Sequence, residues 1–517
     1  MPTTIREPEV TIALTSAAQA ILNVPQRVLI IGQKQAAGSA SGLVQNISNS
    51  QVDWTNLFGA RSMLWQMIAN FKKYNNATQV DVLTLSDNGT TKAVGTITVV
   101  GTATAAGVVK VIVGSAYDYT FQVPVAVNDT PTTIAANIAA AINADVNVPV
   151  VATSSLGVLS LTAVNAGTVG NQIALYAEQT NIPAGISSFT VTSGMTGGAV
   201  DPSFTNIFAP IVDLRYQTFV WPYTAAIATP QVYLDSLWSA QNNILDGVCV
   251  VCVQDTYANL LSLLGTFNSN SVNIICDEKE TRAEKVGGSI LEFPFGISAQ
   301  FAAIRSLRRT DGASIGQFVI ANNGALDAFG GMPLASLPYF NTPMPKLPVQ
   351  VPGDGFFATE QAALLAAGGS IIGNNIANNG VILGPQVTTY KTDAASNPDI
   401  TWHFLNYVDT ASACREYFFN NLKARFAQSR LTQGAVIPGR SMANDVTIEA
   451  YCMRLFKDLG KMALLQSGAA AEKYFSDNLS VTLNLATGTV TITGQFPIVT
   501  QLRVINATFQ MSFSVEE

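Results

Sequence analysis

Charged side chains are scarce along this chain: Asp, Glu, Lys and Arg make up only 12% of its 517 residues. About 25% is usual for a soluble globular protein, whose surface faces water on every side. The mean hydropathy is +0.28, yet no run reaches the ~18 uninterrupted apolar residues of a membrane-spanning helix. A chain that has few charges but no membrane-spanning run is best explained if other protein covers much of its outer surface. The composition therefore predicts a subunit of a large assembly.

The charges and cysteines narrow the possible partners and compartments. The formal net charge is −7 and the pI is near 4.9, so neither nucleic acid nor an anionic membrane is expected as a direct partner. Arg6, Glu7 and Glu9 argue against the apolar core of a signal peptide near the start. Five cysteines are too few for a disulfide framework and indicate a reducing compartment. Synthesis and assembly in a cytoplasm are expected.

Hydrophobic patterning predicts an α/β core formed by two separate stretches, residues 25–90 and 201–400. In both, apolar strand-like runs alternate with amphipathic helical segments, which predicts a mostly parallel sheet covered on both faces. At 54.6 kDa the chain is long enough for two to four domains. The predicted strands are 27–31, 79–85, 217–221, 247–253 and 271–276, and the predicted helices are 61–74, 229–245 and 257–267.

The rest of the chain has a different character. Residues 91–200 contain only six charged side chains and are rich in Thr, Val, Ala and Gly. Recurring short β runs around one helix at 132–144 predict an inserted, mainly β domain at the periphery. Residues 401–517 are predicted to form an α+β C-terminal domain. Its expected elements are helices at 411–430 and 445–466 and a hairpin at 479–493.

Both ends of the chain are predicted to be extended arms. Apolar and polar residues alternate near the C-terminus, as in an amphipathic β-strand about eleven residues long. The N-terminal arm, residues 1–24, shows the same alternation. Either these segments are edge strands of the chain's own sheets, or they are donated to neighbouring subunits by β-augmentation. The positions assigned to inter-subunit strands are Val10, Ile12, Leu14, Ile505, Ala507, Phe509, Met511, Phe513 and Val515.

Several short stretches occur in a recognisable order. They are 24–33 (VPQRVLIIGQ), Leu57-Phe58-Gly59 with Ser62-Met63-Leu64, 95–101, 133–144 (TIAANIAAAINA), Asn165-Ala166-Gly167 with Gly170-Asn171, and 501–509. Together they resemble tail sheath proteins of Mu-like contractile-tailed bacteriophages. The resemblance runs over most of the chain and is strongest in residues 1–200 and 473–517.

This resemblance implies a function. Sheath subunits of that family stack as rings of six around a rigid inner tube, and the cylinder contracts on a baseplate trigger to drive the tube through the host envelope. Terminal arms link neighbours, the inserted domain lies outside, the C-terminal region faces the tube, and the core is subtilisin-like without protease activity. The implied partners are further copies of the chain, a tail tube protein, and baseplate and tail terminator proteins, in the tail of a virion. A sheath from a phage-derived tailocin or injection system is the alternative within this class.

A serine hydrolase is the alternative from another class. Residues 312–316 match G-x-S-x-G, and Ser314, Asp399 and His403 occur in the chain order of an α/β-hydrolase triad. The nucleophile elbow, however, requires a strand before the serine and a helix after it, whereas charged residues precede Ser314 and a strand-like run follows it. His403 lies in a strand-like run at 400–408, where a structural role is expected. We therefore expect no catalytic, cofactor-binding or metal-binding residues.

Two further features have ordinary structural interpretations. Cys249 and Cys252 have C-x-x-C spacing, but residues three apart on a strand face opposite sides of the sheet. Separate burial is therefore expected rather than a redox pair or a metal site. The densest charge run, 277–285, is expected to be a solvated helix, with inter-subunit ion pairing as the alternative.

Arg454, Lys457 and Lys461 cluster on one face of the helix predicted at 445–466. They are either ordinary surface cations favoured by the helix dipole, or contacts to an acidic patch on the inner tube. Exposed ion pairs are weak and salt-sensitive, which suits a contact that has to break during contraction. The tube contact is the role predicted here. Second candidates on the preceding helix are Lys423, Arg425 and Arg430.

Overall fold

A computed structural model of the chain describes residues 26–87, 91–239, 245–278, 292–308, 339–349, 355–375, 377 and 379–500. The predicted arm at 1–24 and the predicted C-terminal strand lie outside the described residues. So do all the positions assigned above to inter-subunit strands: Val10, Ile12, Leu14, Ile505, Ala507, Phe509, Met511, Phe513 and Val515. Ser314 and most of the charge run at 277–285 lie outside them as well.

The first stretch of the α/β part alternates strands and helices as predicted. It contains β1 (Arg27–Lys34), β2 (Leu43–Val44), α1 (Gln51–Phe58), α2 (Met63–Lys72) and β3 (Gln79–Ser86). Serines start both helices: Ser50 accepts a hydrogen bond from the backbone N–H of Asp53, and Ser62 accepts one from that of Trp65. Each satisfies a donor that the first helical turn leaves without a partner.

Residues 92–196 form two antiparallel sheets around one helix. The elements are β4 (Lys92–Val100), β5 (Gly107–Val113), β6 (Thr120–Val125), α3 (Pro131–Ala144), β7 (Val150–Ser155), β8 (Val158–Ala166), β9 (Leu175–Ala177) and β10 (Ser188–Thr196). The sheet orders are β10-β4-β8-β7 and β6-β5-β9. Strands β9 and β10 were not predicted, because β9 has three residues and β10 pairs with β4 through two register shifts that break the alternation.

The second α/β stretch adds strands to the other side of β1. It contains β11 (Thr218–Val220), α4 (Ala228–Ser236), β12 (Val248–Asp255), α5 (Tyr257–Gly265), β13 (Val272–Glu278), α6 (Pro294–Arg308), α7 (Ala358–Ala366), β14 (Gly369–Asn374) and β15 (Val381–Leu383). The complete sheet has the order β15-β14-β13-β12-β11-β1-β3-β2. Its six inner strands are parallel, and β15 and β2 are antiparallel at the two edges. The prediction of a mixed α/β chain with a mostly parallel sheet is confirmed.

Alternate residues of β12 show that both faces of this sheet are covered. Val250 and Cys252 belong to a core shared with α6, whereas Cys249 and Val251 belong to a core shared with α5. The two cysteines therefore face opposite sides, and burial raises the pKa of both thiols. Neither thiol is part of a disulfide.

The last stretch, up to residue 500, is α+β. It contains α8 (Leu405–Phe426), β16 (Arg430–Leu431), β17 (Met442–Ala443), α9 (Asp445–Lys461), α10 (Ala469–Asp477), β18 (Ser480–Asn484) and β19 (Thr489–Thr493). The strand-like interpretation of 400–408 is wrong, because α8 begins at Leu405, six residues before the predicted start. Leu405 and Val408 pack into the same core at helical spacing. Aromatic and β-branched residues in this run had suggested a strand.

Candidate assembly interface

The hairpin β18–β19 is a two-stranded sheet with one packed face and one open face. Val481, Leu483, Val490 and Ile492 pack against the core of α9 and α10, while the residues between them are exposed. Gly488, with φ at +67°, lies in the turn. Within the described residues neither strand has a second neighbour. An isolated hairpin is marginally stable, and its unpaired edges can accept another strand.

The last described residues pair with the segment that joins α9 to α10. Ile498 forms an isolated bridge with Leu465, flanked by hydrogen bonds from Gln466 N to Pro497 O (2.8 Å) and from Val499 N to Leu464 O (3.3 Å). The described part ends one residue later, at 500. The amphipathic segment predicted as a donated strand follows this point in the sequence and lies outside the described residues. Exposed apolar side chains nearby are Tyr474, Leu485, Phe496 and Val499.

The three predicted tube-contact cations lie on the exposed side of α9. Their side chains are 50% (Arg454), 49% (Lys457) and 79% (Lys461) exposed. The opposite side of the helix is buried through Ile448, Cys452, Leu455, Phe456 and Leu459.

Each of these cations has an acidic partner in its own subunit. Asp458 lies 3.8 Å from Arg454 and 3.5 Å from Lys461, and Glu472 lies 2.9 Å from Lys457. The i,i+4 spacing of Arg454 and Asp458 was visible in the sequence. Glu472 comes from another helix, α10, and was missed. The second candidates Lys423 and Arg425 are exposed and lie near the Phe419 and Phe426 rings, and Arg430 is also exposed.

Buried charges connect α8 to the α/β part. Arg305 on α6 and Asp409 on α8 form an ion pair whose side chains are both 0% exposed. Arg305 also donates to the carbonyl of Gln217 (2.6 Å) and to the Thr218 hydroxyl, and Tyr339 donates to Asp409 (2.5 Å). Contacts between these residues span 70 to 104 positions of sequence. No local pattern could therefore have revealed them.

A second cluster lies nearby, around Asp246. Arg415 on α8 contacts the Asp246 carboxylate at 3.1 Å, and Arg215 lies 3.5 Å from it. Arg215 also pairs with Glu416 at 2.8 Å. Ser412 donates to Asp246 as well. Together the two clusters fix the first half of α8 to the sheet.

The domain formed by residues 92–196 is fixed to the start of α2 by polar contacts. Arg61 donates to the carbonyls of Asn143, Asp145 and Val150 at 2.8 to 3.2 Å. The backbone N–H of Met63 donates to Asn165 at 2.9 Å. Apolar side chains from both parts belong to one continuous core.

Glu292 is a fully buried carboxyl at this junction. It accepts hydrogen bonds from the Ser115 hydroxyl (2.9 Å) and the Phe293 N–H (3.0 Å). Lys73 lies 3.9 Å from it and 2.5 Å from Asp118. Burial raises the pKa of Glu292 to about 7; Lys73 opposes this shift and Asp118 adds to it.

The crevice where doubly wound sheets bind ligands is filled by the chain itself. Such crevices lie at the carboxyl ends of the strands where the strand order reverses, here between β1 and β11. At this point Gln33 donates to the Ala166 carbonyl (2.9 Å) and to Asp87 (3.2 Å). Asp87 in turn accepts from the Ala166 N–H, and the side chain of Tyr223 is buried beside them.

The described hydrolase residues are engaged elsewhere. His403 is buried, and its Nδ1 lies 2.7 Å from the Tyr390 carbonyl, which can only accept. Asp399 accepts from the Tyr390 hydroxyl (2.7 Å) and from Thr401, not from His403. Among the residues that the structure describes, no group of three or more His, Cys, Asp or Glu side chains is arranged to hold a metal ion. None of the described helices is both long and apolar enough to cross a membrane.

Comparison with known proteins identifies relatives of one kind. No protein-family model matches the chain. The Mu-like prophage FluMu tail sheath protein of Haemophilus influenzae is 23% identical over 452 residues, which cover 85% of this chain and 84% of the relative.

Three of the solved structures similar to the chain are each 11% identical to it. A sheath tail protein of Desulfitobacterium hafniense has a TM-score of 0.45, over 95% of this chain and 100% of that one. A sheath tail protein of Listeria innocua has a TM-score of 0.42, over 92% of each chain. The contracted helical sheath of the anti-feeding prophage has a TM-score of 0.45, over 99% of each. The predicted resemblance is thus confirmed: along most of its length the chain is similar to the tail sheath protein of a Mu-like prophage.

Proposed function

We propose that this chain is a structural subunit of a contractile tail sheath. It polymerises as stacked rings of six around an inner tube and contracts to drive that tube through a host envelope. The similarity to a Mu-like prophage tail sheath protein over 85% of the chain carries this proposal. The filled crevice between β1 and β11 and the engaged His403 support a non-enzymatic role. Electron microscopy of the purified protein tests it: ribbed cylinders or rings are expected, and dispersed single molecules at high concentration would contradict it.

In this proposal the subunits are linked by exchanged strands. Among the described residues, the hairpin β18–β19 has two open edges and one open face. A strand that arrives from a neighbour gains a ladder of backbone hydrogen bonds and covers the exposed apolar side chains there. The packed face of the hairpin already determines which side of such a sheet is buried.

Deletion of residues 510–517 is expected to weaken polymerisation far more than it weakens the fold. The critical concentration should rise by about tenfold or more, because the second half of the predicted strand, with its inter-subunit hydrogen bonds, is lost. The melting temperature of the unpolymerised chain should stay close to that of the wild type. Pelleting assays and thermal melts measure the two effects.

Two full-length variants serve as matched controls for this deletion. Phe509→Ser/Phe513→Ser removes apolar side chains from one face of the predicted strand and should reproduce the loss of polymerisation. Gln510→Thr/Ser512→Thr alters only the polar face and should polymerise like the wild type. Equal losses of polymerisation and of thermal stability in the deletion variant would show that the segment belongs to its own subunit.

We propose further that Arg454, Lys457 and Lys461 contact the inner tube. The triple substitution of these residues by Gln should leave polymerisation intact but reduce co-sedimentation of the sheath with tube protein. The wild-type contact should weaken as salt is added, since exposed charge pairs are screened. Lys473→Gln is the matched control, because Lys473 is 75% exposed on the neighbouring helix and is paired with Asp477 at 2.7 Å. Unchanged tube binding by the triple variant would exclude the contact.

A further inference from the structure

Asn379 and Gly380 lie in the turn that joins β14 to β15, and Asn379 is exposed. The two strands pair up to Asn374 and Val381, and the Asn375 N–H donates to the Gly380 carbonyl at 2.8 Å. An Asn followed by Gly is chemically weak, because no Cβ obstructs the glycine nitrogen as it approaches the side-chain amide carbon. Neither the proposed strand exchange nor the proposed tube contact involves this turn.

The turn does not require glycine at position 380 for conformational reasons. The φ of Gly380 lies outside the left-handed region. Among the described residues, a Cβ built on Gly380 would meet only Asn375 Nδ2, at 3.6 Å, which is an ordinary van der Waals distance. The chain therefore has an unobstructed backbone nitrogen next to an exposed amide.

The side chain of Asn375 holds the amide of Asn379 in a defined orientation. Its Oδ1 accepts from the Asn379 backbone N–H (3.1 Å), and its Nδ2 donates to Asn379 Oδ1 (2.7 Å). A backbone N–H can only donate, so it faces the oxygen of the Asn375 amide. The NH₂ group of Asn375 is left to face Asn379, where the matching acceptor is Oδ1.

This donor lies where charge would develop in a reaction of Asn379. When the Gly380 nitrogen attacks the amide carbon, negative charge accumulates on Asn379 Oδ1. A donor held about 2.7–3.1 Å from such an oxygen stabilises the charge, as in an oxyanion hole. Asn375 Nδ2 lies 2.7 Å from it. The geometry therefore favours the reaction in addition to holding the turn together.

We infer that Asn379 is a site of spontaneous deamidation, with Asn375 as the donor that stabilises the tetrahedral intermediate. The Gly380 nitrogen loses its proton to solvent and bonds to Cγ of Asn379. The bond from Cγ to Nδ2 then breaks, and the nitrogen takes up a proton and leaves as ammonia. Water opens the resulting succinimide ring at either carbonyl, which gives aspartate or isoaspartate. Water is the only co-reactant.

Both products change the turn. Each adds one negative charge at an exposed position. Isoaspartate also inserts a methylene group into the backbone before Gly380, so the hydrogen bond from the Asn375 N–H to the Gly380 carbonyl would lose its present geometry. Such a change accumulates with the age of the chain. It belongs to a single chain and does not depend on the proposed function.

Peptide mapping of the purified full-length chain, incubated in heavy-oxygen water at neutral pH, tests the inference. Asn379 should convert to a mixture of aspartate and isoaspartate, each with one solvent oxygen. Asn88 and Asn323 are also followed by glycine, lie outside the described residues, and serve as internal references in the same digest. If Asn379 remains an amide in the folded chain but converts in urea, the fold protects it and the inference is wrong.

Two variants test the role of the donor. Asn375→Ala should slow the conversion of Asn379 by about two- to tenfold, the range that one net hydrogen bond corresponds to. Asn375→Asp keeps an acceptor for the Asn379 N–H but loses the donor, so it should react at least as slowly. Asn88 and Asn323 should react at wild-type rates in both variants, and in urea all three chains should react alike at Asn379. A rate at Asn379 equal to or above that of the wild type in the folded variants overturns the inference.

Gly380→Ala tests the identity of the attacking atom. The added methyl group crowds the approach of the backbone nitrogen to Cγ of Asn379, while the turn has room for it beside Asn375. Most of the product at Asn379 should be lost, and the melting temperature should stay at the wild-type value. Conversion at the wild-type rate would show that water attacks the amide directly, and the inference would be wrong.

Discussion

Asp409→Asn is expected to lower the free energy of unfolding by about 3–5 kcal/mol, the usual cost of breaking a buried ion pair from one side. Arg305 and Asp409 are both fully buried, so no water replaces the lost carboxylate. The guanidinium would keep its hydrogen bonds to Gln217 and Thr218, but its charge would be left uncompensated. Thermal and urea denaturation of the unpolymerised chain measure the loss.

Two further variants make this measurement specific. Arg305→Met/Asp409→Leu removes both charges and should recover much of the stability, because well-packed apolar residues often replace a buried ion pair at little cost. Asp458→Asn breaks ion pairs with the exposed Arg454 and Lys461 and should cost at most about 1 kcal/mol. If Asp409→Asn lowers the free energy of unfolding no more than Asp458→Asn does, the buried ion pair contributes little to the attachment of α8.

Stability is expected to fall between about pH 4.5 and pH 7 through the buried carboxyl of Glu292. Its pKa is raised from 4.5 to about 7, chiefly by burial, so the folded state favours the protonated form. Below pH 4.5 this group is protonated in both states and carries no penalty. As the pH rises through about 7, the folded chain has to bury a charge that the unfolded chain exposes. The expected loss is on the order of 3 kcal/mol, complete above pH 7.

Glu292→Gln should remove this pH dependence. Gln has nearly the same shape but does not ionise: its amide oxygen can accept from the Phe293 N–H, and its NH₂ group can donate to the Ser115 hydroxyl oxygen. The variant should therefore melt several degrees higher than the wild type at pH 8 and near the same temperature at pH 5. Glu178→Gln, at a partly exposed ion pair with Lys110, should retain the wild-type pH profile. If the melting temperature of the wild type does not change between pH 5 and pH 8, ionisation of Glu292 does not affect stability in this pH range.

Most of the α/β architecture could be predicted because its signals are local. The strands β1 and β12 contain continuous apolar runs, whereas β3 and β13 are apolar runs interrupted by polar residues. The helices between them show apolar residues at helical spacing. The start of α8 was missed because aromatic residues mimic a strand over one helical turn. Strand β10 was missed because bulges interrupt its alternation.

The candidate sites were predicted less well, for a physical reason. Apolar residues recur at helical spacing on one face of α9. The sequence therefore indicates that Arg454, Lys457 and Lys461, on another face, are exposed. Glu292 and Ser115 are 177 positions apart, and the contact between them depends on how two domains meet. Such sites become visible only in three dimensions.

The buried junctions at Glu292 and at Arg305–Asp409 have a mechanical consequence. They tie the domain of residues 92–196 and helix α8 to the same central sheet, so a load applied to any of the three displaces all of them as one rigid body. Any change in the shape of a polymer must then be absorbed in the segments that join one body to the next. In the proposed sheath, the length of those connectors, rather than any bending within the body, would set how far one subunit can turn relative to the next.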